Sequence, residues 1–188
     1  HTKSRLFGGS SREILKYGEN PHQIASYLNS PDLERRTKYL VKISHGTLSY
    51  NNLADTTAAY KILCELEDYN KSSCVIIKHG NPCGVAIDNK ILGAYKKSFE
   101  TDPISAFGGI VAVNQKVDEK LAKRILSVFT EVIIAKSFSP KAFKMLSFKK
   151  NIKIVEIKSF DRTLLHTEEV RSVIGGYLVQ ETSLSKPN

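Results

Sequence analysis

The chain has 188 residues, of which 41% are hydrophobic and 25% charged, a balance that excludes a disordered polymer and allows one domain plus a short appendage. Its formal charge of +9 raises nucleic-acid binding, but the basic residues are scattered as pairs such as Arg35-Arg36, Lys96-Lys97 and Lys149-Lys150. They are not interleaved with aromatics as in an RNA-binding strand, so a lysine-rich solvated surface is expected, with no nucleic acid and no membrane as partner. Cys64, Cys74 and Cys83 are odd in number and show no C-x-x-C spacing, which disfavours a disulfide framework or a structural zinc. Together with the lack of a signal-peptide core in HTKSRLFGGSS, this predicts a cytoplasmic protein.

Residues 1–15 combine Gly8-Gly9-Ser10-Ser11 with basic residues and read as a linker or leader, leaving 16–188 as the folded part. KYLVKIS (38–44) predicts a strand and residues 51–69 a helix, with Leu53, Ala54, Ala58, Ile62 and Leu66 near one face. SCVIIKH (73–79) predicts a short buried strand followed by the turn GNPCG. Next come a helix over 91–100, a loop TDPISAFGG, a strand GIVAVN (109–114), a helix over 117–129 and a strand EVIIAK (131–136). A helix around PKAFKMLSF, a strand NIKIVEI and a last apolar stretch VIGGYLVQ complete the chain. Strands alternating with helices predict an α/β fold, a three-layer α/β/α sandwich with helices on both faces of the sheet. The runs VII, IVAV and VII are continuous, as expected of strands buried on both sides.

In such sheets ligands gather beyond the carboxyl ends of strands, and three chemically rich loops are placed there: KHGNPCG, TDPISAFGG and the region after EVIIAK. The first is the strongest. Lys78 and His79 directly follow a buried strand, where an ionisable group without a purpose is costly. Histidine exchanges protons near neutrality with little perturbation, and Gly80 and Gly84 let a ligand or backbone approach closely. The plain alternative is a lysine reaching outward and a histidine making one structural hydrogen bond. Both side chains can serve one ligand only if the extended strand ends by His79, because neighbouring strand residues point to opposite faces. Cys83 matches neither half of the zinc-deaminase pattern of H-x-E and P-C-x-x-C, so it reads as a small buried filler.

Weaker signals lie elsewhere. LKYGENPHQ (15–23) joins a basic residue to Tyr17 and an Asn-Pro-His turn, suited to an anion and a ring, or to an ordinary turn. In SYNNLAD (49–55), Asn51 or Asn52 caps the following helix. Gly108-Gly109 exposes backbone beside Phe107.

Taken in order and spacing, LKYGENPHQ, LSYNNLADT, VIIKHGNPCGVAI, TDPISAFGGIVAVN, EVIIA and IGGYLVQ closely resemble the transformylase domain of the bifunctional purine-biosynthesis family, which couples AICAR transformylase to IMP cyclohydrolase. The resemblance runs from about Leu15 onward. It implies formyl transfer from 10-formyltetrahydrofolate, as co-substrate, to AICAR, giving FAICAR. It also implies a cytidine-deaminase-like fold without metal. His79 matches the family's catalytic base. Lys78 matches its lysine, suited to the oxyanion or to the departing folate nitrogen. Lys16 and Tyr17 match nucleotide contacts, Gly108 a backbone contact and Glu131 an acidic position at the same site, while Asn52 is a more distant correspondence. The resemblance leaves His22 undecided.

Two positions depart from the pattern. Lys16 stands where an Arg is usual and loses the bidentate fork for phosphate. Lys136 replaces a customary Pro after EVIIA. The resemblance further implies a homodimer, with a cyclohydrolase domain before residue 1 and a second transformylase half after residue 188. This chain would then be an incomplete part of the enzyme. The alternative is a non-catalytic nucleotide-binding or assembly module that needs a complementing half.

Overall fold

The structure, a computed structural model, describes residue 9 and residues 11–31, 41–165 and 168–182. Strands β1 (Ser11–Leu15) and β2 (Ala25–Asn29) form an antiparallel hairpin of their own. The stretch expected to be a linker or leader therefore contributes a paired strand at its end, and residues 1–8 and 10 lie outside the described residues. Strand β3 (Val41–His45) leads into helix α1 (Tyr50–Leu66) and a 3-10 turn, Glu67–Tyr69. Arg35, Arg36 and the predicted strand start at 38–40 also lie outside the described residues. Then follow β4 (Ser72–Lys78), β5 (Asn81–Asp88), α2 (Ile91–Thr101), β6 (Gly109–Val113), the short β7 (Lys116–Val117) and α3 (Glu119–Leu126). The chain continues through β8 (Thr130–Ala135), the short β9 (Ser137–Phe138), α4 (Pro140–Ser147) and β10 (Lys153–Ile157), and ends in the hairpin β11 (Glu168–Val173)–β12 (Gly176–Glu181).

Six strands make one mixed sheet in the order β3-β10-β8-β6-β4-β5. Only β10–β8 and β8–β6 are parallel; the other three pairings are antiparallel. Its inner strands carry the continuous apolar runs, and their side chains divide cleanly between two faces. Val75, Ile77, Ile110, Ala112, Val132, Ile134, Val155 and Ile157 meet Ala59, Tyr60, Leu63 and Cys64 of α1. Cys74, Ile76, Val111, Val113, Ile133, Ala135 and Ile154 meet α2, α3 and α4 through residues such as Tyr95, Leu121, Ile125 and Leu146. Burial of both faces explains why no polar alternation interrupts these runs, and each enclosed Val or Ile contributes about 1.5–3 kcal/mol.

Several expectations are corrected. The segment GNPCG is not a five-residue turn: the chain reverses at His79 and Gly80 alone, and Asn81–Asp88 is a strand. Pro82 is tolerated there because β5 is the edge of the sheet. Of the stripe expected on α1, Leu53, Ala58, Ile62 and Leu66 pack against the core and only Ala54 is exposed, while the most buried residues are Asn52, Ala59, Tyr60, Leu63 and Cys64. A four-residue spacing drifts around a helix of 3.6 residues per turn, so the expected stripe runs along the margin of the buried face rather than through its centre. The helix expected over 117–129 is shorter because Asp118 caps its start and the chain turns at Ser127. VIGGYLVQ is the tip and second strand of an exposed hairpin, with Tyr177 and Leu178 70% and 60% exposed.

Far from β4's carboxyl end, Asn114 ties three segments together. Its Oδ1 accepts from Ser73 N at 2.7 Å, and its Nδ2 donates to Lys71 O at 2.8 Å and Glu67 Oε1 at 3.0 Å. Lys136 joins this cluster through Glu67 at 3.0 Å and lies over the Phe160 ring. Asn114→Ala leaves a buried donor and acceptors unmatched and is expected to cost about 2–3 kcal/mol, read from the urea midpoint.

Candidate active site

Strand direction decides which loops meet. Ile77 pairs with Ile110, and Ile110 with Val132, so the carboxyl end of β4 lies beside the amino ends of β6 and β8. Lys78, Gly108 and Glu131 therefore come to one end of the sheet. Strand β3 also ends there, His45 opposite Ile154, and the link after it delivers the amino terminus of α1. The loop after EVIIAK sits at the opposite end, because β8 runs against β4. TDPISAFGG enters the site ahead of a strand rather than behind one. An all-parallel sheet would not have made that grouping; the antiparallel β4 does.

The extended backbone stops at Lys78. His79 and Gly80 adopt φ of 52° and 76°, and Lys78 pairs with Asn81 across them. Two residues with positive φ form the tight turn whose twist suits a hairpin. His79 is thus released from strand alternation, the condition for it to share a ligand with Lys78. A non-glycine residue here costs about 1–2 kcal/mol. Lys78 is half-buried and its Nζ donates to the Phe107 carbonyl at 2.7 Å. His79 is exposed.

Around this turn, hydrogen bonds from Ser105 hold the Asp102 carboxyl below its ordinary range, with Lys78 a lesser contributor. Cys83 occupies the bulge where the β4–β5 register shifts between Ile76 and Ile77. It is half-buried rather than enclosed, and burial, then the negative charge of Asp102, pushes its thiol up, which disfavours the thiolate a nucleophile needs. Gly108 takes φ 77°, and its N–H donates to the Phe129 carbonyl at 2.8 Å, so that donor is engaged within the protein. Phe107 and Phe129 pack with ring centroids 5.4 Å apart and stay largely exposed, forming an apolar ledge beside Lys78.

Helix α1 supplies the opposite wall. Ser49 caps it: Ser49 Oγ accepts from Asn52 N at 3.2 Å, and Asn52 Oδ1 accepts from Ser49 N at 3.3 Å. Asn52 Nδ2 donates to Glu131 Oε2 at 2.9 Å. Ser49, and not Asn51 or Asn52 as expected, is therefore the cap; Asn52, 3% exposed, lies inside the helix, where it completes the capping box and anchors Glu131. Asn51 Nδ2 donates to the Glu19 carbonyl at 3.1 Å, tethering the loop that carries Lys16 and Tyr17. That loop is closed by Gly18 N to Gln23 O at 2.9 Å, and Lys16 Nζ lies 5.7 Å from the Tyr17 ring. His22 is exposed at its tip. One residue at the site was missed: Asp55 Oδ1 accepts from Gly80 N at 2.6 Å. Its signal was present, since Asp55 follows Asn51 by four residues and so shares its helix face.

Among the described residues no group of three His, Cys, Asp or Glu side chains is placed to hold a metal ion, and no helix is long and apolar enough to cross a membrane. A cleft of about 800 Å³ lies elsewhere, between β2, α1 and the β11–β12 hairpin, lined by Tyr27, Thr56, Tyr60, Glu169 and Leu178 among others. None of the candidate site residues lines it. Its walls do not combine a base and a cation at a strand end, so the chemistry points to the Lys78–His79 turn.

Known proteins agree with the motifs. A family model described as AICARFT/IMPCHase bienzyme matches residues 2–188. The chain is 44% identical over 170 residues to the bifunctional purine biosynthesis protein PurH of Caldicellulosiruptor saccharolyticus, covering 89% of this chain and 32% of that protein. It is 42% identical over 169 residues to PurH of Fusobacterium nucleatum subsp. nucleatum (90% and 32% covered) and 40% identical over 176 residues to PurH of Bradyrhizobium diazoefficiens (94% and 33% covered). The chain thus spans about a third of the length of these curated relatives. A solved structure of Acinetobacter baumannii RibD aligns with a TM-score of 0.44 at 13% identity over 53% of this chain and 35% of that one, too slight a likeness to bear on the fold. With the family match running over nearly every residue, the chain belongs to the AICARFT/IMPCHase bienzyme family.

Proposed function

We propose that this chain carries the Lys-His part of a formyltransferase site, moving a formyl group from 10-formyltetrahydrofolate to the amino group of AICAR. The observation that carries the reading is the release of His79 from the strand next to the fixed ammonium of Lys78, within a family that includes this activity. The amine of AICAR is a poor nucleophile, its lone pair delocalised into the ring and carboxamide. His79 takes its proton as nitrogen bonds to the formyl carbon. Lys78, held by one bond to Phe107 O, keeps two N–H groups to stabilise the oxyanion or to protonate N10 as the carbon–N10 bond breaks. The products are FAICAR and tetrahydrofolate, and no metal enters any step.

Lys16 and Tyr17 hold the nucleotide, Gly108 offers backbone, and Asn52 and Glu131 position the ring. The family's cyclohydrolase domain and second transformylase half, and a homodimeric assembly, supply the rest. The fold is a cytidine-deaminase-like variant of the mixed sheet, and the reaction is cytoplasmic.

The reading is tested by assaying tetrahydrofolate release with this chain alone, with the remaining two thirds of a relative alone, and with both. Activity only in the mixture is expected; an inactive mixture in which the two parts bind each other contradicts it. In the active mixture, Lys16→Arg is expected to lower the KM for AICAR and leave kcat unchanged, because the guanidinium grips phosphate with two parallel bonds. Steady-state kinetics at varied AICAR checks this.

A further inference from the structure

The first turn and a half of α1 contacts three separate segments of the site through three side chains. Asn51 Nδ2 holds the Glu19 carbonyl, Asn52 Nδ2 holds the Glu131 carboxylate, and Asp55 Oδ1 holds the Gly80 N–H. Positions 51 and 55 stack one above the other on the helix, and 52 points inward beside them. A single rigid element thereby sets where the loop of Lys16 and Tyr17, the carboxylate of Glu131 and the turn of Lys78 and His79 stand relative to one another.

The Asp55 bond is the most consequential of the three. His79 sits in left-handed backbone with φ of 52°, a conformation that glycine and asparagine adopt more readily than histidine. Gly80, at φ 76°, would meet nothing within 4 Å if it carried a Cβ, so packing does not hold the tip of this turn. What reaches it from outside the hairpin is a carboxylate 25 residues earlier in sequence, at 2.6 Å from the Gly80 nitrogen. A charged acceptor on a capped helix is a stiff anchor for an otherwise open turn.

We infer that Asp55 is a positioning residue for His79, fixing the turn so that the imidazole is held ready for its substrate. The catalytic part of this inference rests on the formyl-transfer reading; the holding of the turn does not. The role requires an acceptor and not a negative charge, so Asp55→Asn is expected to retain it and Asp55→Ala to lose it.

Two sets of measurements test it. In the full chain, hydrogen exchange of the Gly80 amide is expected to speed up on the order of tenfold to a hundredfold in Asp55→Ala, the range for losing a charge-assisted bond, and the HN–Hα coupling of His79 to move. Asp55→Asn should keep both close to wild type. In the complemented enzyme, Asp55→Ala is expected to lower kcat on the order of tenfold to a hundredfold with the AICAR KM within about threefold, and Asp55→Asn to recover most of it. Unchanged Gly80 exchange in Asp55→Ala would overturn the inference. So would moved turn signals with kcat intact, or an Asn variant as impaired as the Ala variant. An inactive wild-type mixture with the turn signals moving as expected would instead reject formyl transfer and leave the anchoring of the turn established.

Discussion

Replacing His79 by alanine is expected to lower kcat of the complemented enzyme by about 10²- to 10⁴-fold, the range that a positioned general base contributes. The AICAR KM should stay within a few fold, because the proton leaves the amine only as the new bond forms, and a group acting at that moment stabilises the transition state rather than the bound substrate. Alanine also adds strain at φ 52°, so His79→Asn is the sharper variant. Asparagine accepts left-handed backbone readily yet cannot take a proton. Both variants should be inactive to a similar degree. Near-normal turnover by His79→Asn, with the turn preserved, would assign histidine to the turn and not to the reaction.

Gly84→Ala is expected to have the largest effect on stability. A Cβ there would stand 1.8 Å from the Ser98 carbonyl oxygen and 2.7 Å from its carbon, both backbone atoms of α2. The helix cannot retreat without uncovering Ala94 and Tyr95, which are almost wholly enclosed, and without breaking the 3.0 Å bond from Ser98 Oγ to the Cys74 carbonyl. A loss of about 3 kcal/mol or more follows, a large share of the 5–15 kcal/mol that ordinarily separates folded from unfolded protein. Thermal melting followed by circular dichroism should show a Tm lower by ten degrees or more, or no cooperative transition, on the order expected for such a loss in a chain of this size. Gly80→Ala meets no neighbour and should cost only the backbone strain of its positive φ, about 1–2 kcal/mol. Equal melting of the two variants would contradict the close seating of α2 on β5.

What was legible in the sequence follows from what each signal depends on. The runs around Val75, Ile110 and Ile133 were readable because burial on both sheet faces removes every polar interruption. Lys78 and His79 stood out because ionisable groups at the end of such a run conflict with burial. The strand Asn81–Asp88 was hidden because it opens with Asn-Pro and lies at the sheet edge, where pattern and propensity are weakest. The direction of β4 could not be read at all: whether a strand runs with or against its neighbours is set by long-range pairing, and that pairing moved the post-EVIIAK loop away from the site. The cap expected at Asn51 or Asn52 is Ser49, with Asn52 as its capping-box partner, and the bond from Asn52 to Glu131 spans 79 residues and left no local trace. Asp55 shares a helix face with Asn51, but its partner is a backbone N–H 25 residues later, which no side-chain pattern marks.

The proposed formyl transfer takes place at the Lys78–His79 turn, anchored on the first turns of α1. A crystal structure of the complemented assembly with AICAR and a non-transferring folate analogue tests it most directly. The AICAR amino nitrogen is expected within hydrogen-bond distance of the His79 imidazole, with Lys78 Nζ facing the carbon that mimics the formyl group. Ligands bound instead in the cleft between α1 and the β11–β12 hairpin, with the His79 turn empty, would contradict it.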